Sequence, residues 1–335
     1  MSIPATMRAL QQTTCEGPQD MRLVTDAPVP RPGRGEVLVR VAAAGVNFAD
    51  VSKACGTFGD GPRPPYRAGF EAAGEVVAVG EAVTGPAPGT LVTGVGDGAF
   101  AEYLVLPAAA AMPVPAGWSA EQALGLAVNW PTALAALKPL GRVAAGETVV
   151  VPAAAGATGQ AAVTLAKHYG ATVVATASPG KHETVLARGA DHVLDSRDGD
   201  LPAEVRRLTG GAGADLVLES AGGAAFAASL AAAKPVTGRV VVYGLAGGEA
   251  PLTNRELVYR HQVHVIGLNI GTLIRSAPRI FGAVLGELSA LVSAGVVTPG
   301  RPITHDLADG PRVLAELAAR TTVGKLALLP GRDAR

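Results

Sequence analysis

Cysteine and aromatic residues are scarce in this chain of 335 residues, and neither sign of charge predominates. Its two cysteines, Cys15 and Cys55, are too few for a disulfide framework or for a metal site made of cysteines alone. The 28 basic and 28 acidic residues are scattered along the chain, which disfavours nucleic acid and anionic membranes as partners. No uninterrupted apolar run reaches about 18 residues. We therefore expect a soluble, cytoplasmic protein.

The length of the chain predicts two domains, because single hydrophobic cores stop growing near about 250–300 residues. Short β segments separated by turn residues fill the first third and resemble the strands of a small barrel. Six apolar segments follow, separated by stretches long enough for helices, which predicts a parallel, doubly wound sheet. The predicted strands of that sheet are Thr148–Val151, Thr172–Thr176, His192–Leu194, Asp215–Glu219, Arg239–Tyr243 and Val263–Gly267.

The last part of the chain has a helical pattern within residues 276–295, then a short helix from about Asp309 and a strand in “GKLALL”. We expect this tail to return to the barrel. The predicted domains are residues 1–123 and 271–335 for the barrel, and residues 124–270 for the doubly wound sheet.

A glycine-rich turn follows the first strand of the predicted sheet. Ala153, Gly156 and Gly159 have the spacing in which one glycine lets the backbone approach a pyrophosphate and the next lets helix and strand pack closely. A tight turn without a ligand is the alternative, but the five further strands favour a dinucleotide, whose phosphates would face the N–H groups of the helix. The expected contacts are Ala155, Gly156, Ala157, Thr158 and Gly159.

The second strand ends without the carboxylate that NAD-preferring sites usually place there. Ser178 and Lys181 follow it instead, and a hydroxyl and an ammonium bind a 2′-phosphate that a carboxylate would repel. Ser196 and Arg197 follow the next strand and add a second cation nearby. The sequence therefore predicts NADPH as the cofactor. The alternative for Lys181 is a solvated lysine at a helix start.

Nearly the whole chain resembles the medium-chain dehydrogenase/reductase superfamily, and within it the zinc-independent quinone oxidoreductase group that includes zeta-crystallin. The resemblance is carried by “AAAGVNFADV” at 42–51, “GFEAAGEVVAVG” at 69–80, “AFAEYLVLP” at 99–107, “NWPTALAAL” at 129–137, “AAAGATGQAAVTLAKHYGA” at 153–171 and “RTTVGKLAL” at 320–328. It implies a GroES-like β-barrel catalytic domain built from both chain ends, a Rossmann dinucleotide-binding domain, and an active site in the cleft between them. It also implies a homodimer formed through the last strand of the sheet.

The resemblance assigns acceptor contacts to Asn47 and Asp50 and places Thr132 beside the nicotinamide, with Asn129 nearby. Asn47 is alternatively a turn-former, Asp50 a structural residue, and Asn129 and Thr132 helix-capping groups. Further expected cofactor contacts are Gly244, Leu245, Asn269 and Lys325. Further residues expected around the acceptor are Phe48, Phe58, Tyr66 and Ile270.

Zinc alcohol dehydrogenases of this superfamily carry metal ligands at positions that match Asn47, Phe70 and Val128–Asn129, where this chain has no cysteine or histidine. We therefore predict no metal, and hence no Lewis acid for alcohol oxidation. The predicted reaction is hydride transfer from NADPH to a small conjugated acceptor, a quinone or an enone.

Two other functions remain open. An enoyl reductase acting on a polyketide or acyl thioester is favoured by “VVATASPGKHE” at 173–183 and “SRD” at 196–198, which resemble the cofactor turn of polyketide enoyl reductases. Phe58 opposes it, because it stands where those enzymes have a tyrosine proton donor; Tyr66 or water is the alternative donor. The second is a non-catalytic NADPH-binding protein, since a fold does not determine a function.

Overall fold

The strands of the chain fall into two units. The computed structural model describes residues 3–197 and 199–331; the first unit ends at Val128 and resumes at Pro299, and the second spans Asn129–Thr298. The strands are β1 (Thr6–Gln12), β2 (Met21–Pro28), β3 (Glu36–Val46), β4 (Tyr66–Arg67), β5 (Glu71–Val79), β6 (Leu91–Val95), β7 (Tyr103–Pro107), β8 (Met112–Pro113), β9 (Thr148–Val151), β10 (Thr172–Ala177), β11 (His192–Asp195), β12 (Leu216–Glu219), β13 (Arg239–Val242), β14 (His264–Gly267), β15 (Ile303–Asp306) and β16 (Leu326–Leu329).

Several helices begin where a polar residue or a proline suits the first turn. Asp200 and Asn269, for example, each accept a backbone N–H group from the helix that follows them. Within residues 3–197 and 199–331, no helix has the length and apolar character that crossing a membrane requires. The α-helices are α1 (Phe48–Ala54), α2 (Asn129–Ala135), α3 (Ala157–His168), α4 (His182–Leu186), α5 (Leu201–Leu208), α6 (Gly223–Ala232), α7 (Asn254–Glu256), α8 (Ile270–Ser276), α9 (Pro278–Ser293) and α10 (Gly310–Ala318).

The second unit contains a parallel six-stranded sheet in the order β11-β10-β9-β12-β13-β14. This confirms the predicted doubly wound Rossmann arrangement, and all six predicted strands are present. The valines of β9 are buried, as expected for a strand inside a parallel sheet. Strand order reverses beside β9, and sheets of this kind bind ligands at the carboxyl ends of the strands at such a point.

Residues 271–298 lie in the second unit, although the sequence pattern predicts that they belong to the returning barrel segment. Helix α9 packs against α2, and the Tyr169 hydroxyl donates to Glu287 of α9 at 2.6 Å. The buried face of α9 contains Val284, Leu288 and Leu291. The apolar face of α9 is therefore covered by its own unit. The chain changes units at 128/129 and 298/299, rather than at the predicted 123/124 and 270/271.

The first unit contains a sheet in the order β15-β16-β3-β5-β6-β8, with β7 also paired to β3, and a smaller sheet in the order β2-β1-β4. Leu10, Phe100, Leu106 and Leu314 are among its fully buried side chains. Strand β16 runs antiparallel to β3, with Leu326 opposite Val46. This register brings the residue before β16 next to the residue after β3, which builds the polar cluster described below.

Candidate functional site

The turn between β9 and α3 has the close backbone approach expected of a pyrophosphate site. An ideal Cβ at Gly159 would lie 2.5 Å from the Ala153 carbonyl oxygen and 2.7 Å from the Ala154 Cα, so glycine is required there. The space beside Gly156 is open, since an ideal Cβ there would meet only the Ala153 oxygen, at 3.5 Å. Gly156 gives α3 no side-chain cap, and the first N–H groups of a helix have no intrahelical acceptors. This turn and the start of α3 contain Ala155, Gly156, Ala157, Thr158 and Gly159.

Helix α2 contacts the same turn through one side-chain hydrogen bond. Asn129, the first residue of α2, donates from Nδ2 to the Thr158 hydroxyl oxygen at 2.9 Å. Because this oxygen accepts from Asn129, its own proton is directed elsewhere and can be donated to a phosphate. Asn129 and Thr132 are both buried in α2. Their contact with the nicotinamide stays a prediction.

Two cationic side chains lie near each other at the carboxyl ends of β10 and β11. Ser178 follows β10 directly and begins the short turn that carries Lys181. The Ser196 N–H group donates to the Ala177 carbonyl at 3.1 Å, which places Ser196 and Arg197 at the end of β10. Partial burial, and after it the Arg197 charge, lower the pKa of Lys181. The two charges therefore repel each other, and a bound phosphate would relieve that repulsion.

A carboxylate, Asp195, is present at this edge of the sheet. It lies opposite Ala177 in the β10–β11 register, and its Oδ1 accepts the Arg197 N–H group at 2.9 Å. Asp195 therefore fixes the backbone that carries Arg197. Asp198, the last residue of the “SRD” motif, lies outside the described residues.

The remaining predicted cofactor residues of this unit follow β13 and β14, at the same edge of the sheet. An ideal Cβ at Gly244 would lie 2.8 Å from the Ser220 carbonyl oxygen, so a side chain there would displace the loop after β12. Leu245 is 47% exposed. Asn269 caps α8, and Ile270 is the first residue of that helix. Their contacts with a ligand stay predictions.

Glu219, fully buried at the end of β12, is not among the site residues predicted from the sequence. Its Oε1 accepts the N–H groups of Ala221 and Gly222, each at 2.7 Å, and its Oε2 accepts the Ser229 hydroxyl. The Ala221 carbonyl in turn accepts from Gly247 at 2.5 Å. Glu219 thus fixes the loop after β12, and the backbone bond from Gly247 joins that loop to the one after β13. The only signal in the sequence was an acidic residue at the end of an apolar strand.

In the first unit, Glu71 is fully buried at the centre of a polar cluster. Its Oε2 lies 2.5 Å from Lys325 Nζ and 2.8 Å from Asn47 Nδ2, and its Oε1 accepts the Gly125 N–H group at 2.5 Å. Lys325 also donates to Asn47 Oδ1 at 2.9 Å and to the Val46 carbonyl at 3.3 Å. These bonds match the three N–H donors of an ammonium group. The predicted cofactor contact of Lys325 stays a prediction.

Asp50, which is buried, and Tyr66, which is half-buried with a buried hydroxyl group, are two further polar residues of this unit. Asp50 Oδ2 accepts the Asn47 N–H group at 2.8 Å, whereas Asp50 Oδ1 and the Tyr66 hydroxyl have no partner among the described residues. Burial raises the pKa of Asp50 to about 7, although the Asn47 N–H group, Lys53 and Lys325 oppose this change. Burial and the Asp50 charge raise the pKa of Tyr66 to about 12. Near neutral pH, Tyr66 therefore keeps its proton and Asp50 exchanges one readily.

Aromatic rings surround Lys53 on the same unit. Its Nζ lies 4.5 Å from the ring centre of Phe70 and 5.4 Å from that of Phe58, within range of a cation–π interaction. Phe58 is 38% exposed, and Phe48 is half-buried at the start of α1. A surface cavity of about 200 Å³ has a lining that includes Lys53, Pro62, Tyr66, Arg67, Gly69 and Asp97. The predicted residues Phe58 and Tyr66 thus both neighbour Lys53.

Two sequence families match the chain: an alcohol dehydrogenase GroES-like domain over residues 33–116 and a zinc-binding dehydrogenase over residues 157–287. A quinone oxidoreductase-like protein 2 homolog from Nematostella vectensis is 35% identical over 251 residues, which are 74% of this chain and 68% of that protein. The spectinabilin polyketide synthase system protein NorB from Streptomyces orinoci is 37% identical over 303 residues, 88% of this chain. This chain spans only 5% to 13% of the length of four polyketide synthase relatives.

Solved structures match over nearly the full chain. A mycobacterial protein crystallised with NADPH has a TM-score of 0.90 at 32% identity, over 97% of this chain and 100% of its own. A quinone oxidoreductase from Pseudomonas syringae pv. tomato has a TM-score of 0.90 at 30% identity, with the same coverage. The CurK enoyl reductase has a TM-score of 0.86 at 28% identity, over 97% of this chain and 99% of its own. The chain therefore belongs to the medium-chain dehydrogenase/reductase superfamily, in its quinone oxidoreductase-like group.

Proposed function

We propose that the chain is an NADPH-dependent oxidoreductase that reduces a conjugated acceptor, a quinone or an enone, without zinc. The observation that carries this proposal is the glycine turn before α3, together with Lys181 and Arg197 at the ends of the next two strands. Bound NADPH supplies the hydride, and the protein binds and orients the reactants. The mycobacterial relative crystallised with NADPH supports the choice of cofactor.

The second unit has residues that fit both anionic parts of this cofactor. The N–H groups of the first turn of α3, with the Thr158 hydroxyl, would bind the pyrophosphate. Lys181 and Arg197 would bind the 2′-phosphate, with hydroxyl groups from Ser178 and Ser196 beside them. NADH lacks that phosphate and would gain nothing from the two cations.

Substitution of Lys181 tests the choice of cofactor. A hydrogen bond to a charged group contributes about 1.5–3 kcal/mol, so Lys181→Ala should raise the Kd of NADPH roughly 10- to 100-fold. The Kd of NADH should change little. Lys234→Ala is the matched control, because Lys234 pairs with Asp215, which lies just before β12, at the amino-terminal ends of the strands. Both constants can be measured by fluorescence titration, and equal affinities of the wild-type protein for NADPH and NADH would refute the proposal.

Asn47 and Phe70 support a reaction without zinc. Lys325 Nζ lies 2.9 Å from Asn47 Oδ1, and Lys53 Nζ lies 4.5 Å from the ring centre of Phe70. Asn47 and Phe70 match ligand positions of the zinc enzymes; the Asn47 amide is already bonded to Glu71 and Lys325, and a phenyl ring supplies no zinc ligand. Within the described ranges, no group of three or more His, Cys, Asp or Glu side chains is arranged to hold a metal. A quinone suits such a site because it delocalises the added electrons itself.

For the acceptor we propose contacts from Phe48, Phe58 and Tyr66 of the first unit, whose rings suit a flat conjugated molecule. Asp50 would supply a proton to the reduced oxygen. Asn47 is better assigned as a positioning residue, because its side-chain amide is already bonded to the Glu71–Lys325 cluster.

Reduction of an enoyl thioester is a second candidate, favoured by Asp50 and Tyr66. After hydride transfer this reaction needs a proton at carbon, and the buried Tyr66 hydroxyl has no acceptor among the described residues that would withhold its proton. Asp50, whose pKa is raised to about 7, is not hydrogen-bonded to Tyr66 and would resupply that proton through a bridging water molecule. This assigns to Tyr66 the donor role that Phe58 cannot fill. The polyketide synthase relatives and the CurK enoyl reductase support the same reaction class.

NADPH oxidation with a 1,4-benzoquinone and with a 2-enoyl pantetheine thioester separates the two candidates. Tyr66→Phe should lower enoyl turnover by about 10²–10⁴-fold, the usual contribution of a positioned acid, and leave quinone turnover within a few-fold. Tyr103→Phe, on β7 of the same unit, is the matched control. Faster wild-type turnover of the enoyl thioester would make the second candidate the function. Turnover of neither, with tight NADPH binding, would indicate a non-catalytic binding protein.

We also propose a homodimer formed through β14, the end strand of the described six-stranded sheet. His264 and Val265 of this strand are exposed, and an exposed strand edge can pair with a second copy. Light scattering coupled to size-exclusion chromatography measures the mass directly. A monomer at micromolar concentration would contradict this part of the proposal.

A further inference from the structure

The two cysteines of the sequence come together on the surface of the first unit. Both side chains are exposed. An ideal Cβ at Gly56, the residue after Cys55, would lie 3.0 Å from Cys15 Cβ and 3.3 Å from Cys15 Sγ. Glycine at this position therefore leaves the space that Cys15 occupies. Burial contributes most to the raised pKa of the Cys55 thiol, and the charge of Cys15 contributes second. The two sulfur atoms therefore lie within electrostatic range of each other.

Their proximity is built into the fold of the first unit. Strand β1 pairs with β4, with Gln12 opposite Tyr66, so the loop that carries Cys15 begins beside β4. Gln12 Nε2 then holds this loop by donating to the carbonyls of Thr14 and Gly17, at 3.0 and 2.7 Å. Cys55 is held independently, as the capping residue at the end of α1. Both backbones are thus fixed before any bond joins the sulfur atoms.

We propose that Cys15 and Cys55 are a redox-sensitive pair, which a peroxide converts to an intramolecular disulfide and a dithiol reductant restores. The Cys15 thiolate attacks hydrogen peroxide, forming a sulfenic acid and releasing one water. The Cys55 sulfur then attacks that sulfenic sulfur, which forms the S–S bond and releases a second water. Two thiols are oxidised and one peroxide is reduced to two waters, so no other reactant is needed.

The pair also lies near the proposed acceptor residues. The charges of Cys15 and Cys55 both contribute, after burial and Asp50, to the raised pKa of Tyr66. A disulfide would remove both thiols as titratable groups and would tie the loop after β1 to the end of α1, the helix that carries Asp50. Oxidation is therefore expected to change the KM of the acceptor more than the Kd of NADPH, whose phosphate contacts are proposed in the other unit.

The test treats the full chain with a small excess of hydrogen peroxide and then counts thiols with Ellman’s reagent under denaturing conditions. Both thiols should disappear, the intact mass should fall by two hydrogen atoms, and a peptide pair linking Cys15 to Cys55 should appear. Dithiothreitol should reverse all three changes. In Cys15→Ser only the Cys55 thiol remains, and peroxide should form no intramolecular disulfide. In Cys55→Ser peroxide should leave a sulfenic acid on Cys15, which dimedone traps.

Three results would overturn the proposal: both thiols still titratable after peroxide, a disulfide only between two chains on a non-reducing gel, or irreversible sulfinic acid on Cys15. None of these readouts depends on acceptor turnover, so the proposed function and the disulfide can fail separately. Thermal unfolding is a second measurement, in which the oxidised wild-type protein should have a midpoint a few degrees higher and both serine variants should show no shift with peroxide.

Discussion

Replacing Lys325 tests how the buried polar cluster of the first unit is stabilised. Its ammonium lies 2.5 Å from Glu71 Oε2, in a place where the Glu71 side chain is 0% exposed and that of Lys325 is 10% exposed. Solvent therefore screens this pair very little. Removing one partner of a buried ion pair costs about 3–5 kcal/mol, because the other charge is left buried without compensation. We expect Lys325→Met to lower the free energy of unfolding of the first unit by that amount.

A double-mutant cycle separates the ion pair from the packing around it. Glu71→Gln removes the charge and keeps an acceptor for the Gly125 N–H group, but it leaves the ammonium of Lys325 buried. The double variant contains neither charge. We expect it to be more stable than Lys325→Met by about 2 kcal/mol, because replacing both ions of a buried pair costs far less than removing one.

The two tryptophans provide the assay, because Trp118 lies in the first unit and Trp130 in the second. Urea unfolding followed by Trp118 fluorescence in a Trp130→Phe background would report on the first unit. Arg312→Met is the stability control, since Arg312 and its partner Glu316 in the first unit are 52% and 42% exposed, and exposed pairs contribute about 0–1 kcal/mol. If Lys325→Met matched the wild-type protein within about 1 kcal/mol, or if the double variant were the least stable of the set, the reasoning would be refuted.

Three further predictions concern Asp50, Gly159 and metal removal. Folding raises the pKa of Asp50 from 3.8 to about 7. Its contribution to stability is therefore greatest below about pH 4 and is lost as the pH rises to about 7, a change on the order of 4 kcal/mol in total. The urea midpoint of Asp50→Asn should vary less over this pH range than that of the wild-type protein, and identical pH profiles would count against the assignment. Gly159→Val should abolish NADPH binding, because its Cβ would meet the Ala153 carbonyl oxygen at 2.5 Å, whereas Gly282→Ala, where a Cβ meets nothing within 4 Å, should leave binding intact. NADPH-dependent turnover should survive exhaustive chelation, and one zinc per chain by elemental analysis would contradict a zinc-independent reaction.

The sheet of the second unit could be predicted because its signals are local. Runs of β-branched residues mark its strands, and predicted and observed ends agree within one residue; β9, at Thr148–Val151, agrees at both ends. Helix α9, at Pro278–Ser293, could also be predicted from the sequence, but the unit to which it belongs could not. Helical periodicity shows that one face is apolar but does not say which neighbour covers it, and here the neighbour is α2.

Some residues of the candidate site could likewise be predicted from the sequence, and others could not. Gly156 and Gly159 were found from the sequence because strand, turn and helix are contiguous there. The Glu71–Lys325 pair could not be found, because it depends on the pairing of β16 with β3 across most of the chain. The place of Cys15 likewise depends on the distant pairing of β1 with β4, which starts its loop beside that strand. Neither strand pairing has a local sequence signature.

The discontinuous first unit constrains the order in which the protein can mature on the ribosome. The second unit is one continuous segment, Asn129–Thr298, and can fold as soon as it has emerged. The first unit has to wait, because β16 must add to β3, a strand that was synthesised more than two hundred residues earlier. Until residue 325 leaves the exit tunnel, Glu71 has no lysine to neutralise it. The nascent barrel therefore remains open along β3, and a chaperone that covers unpaired strand edges would find its substrate there during that interval.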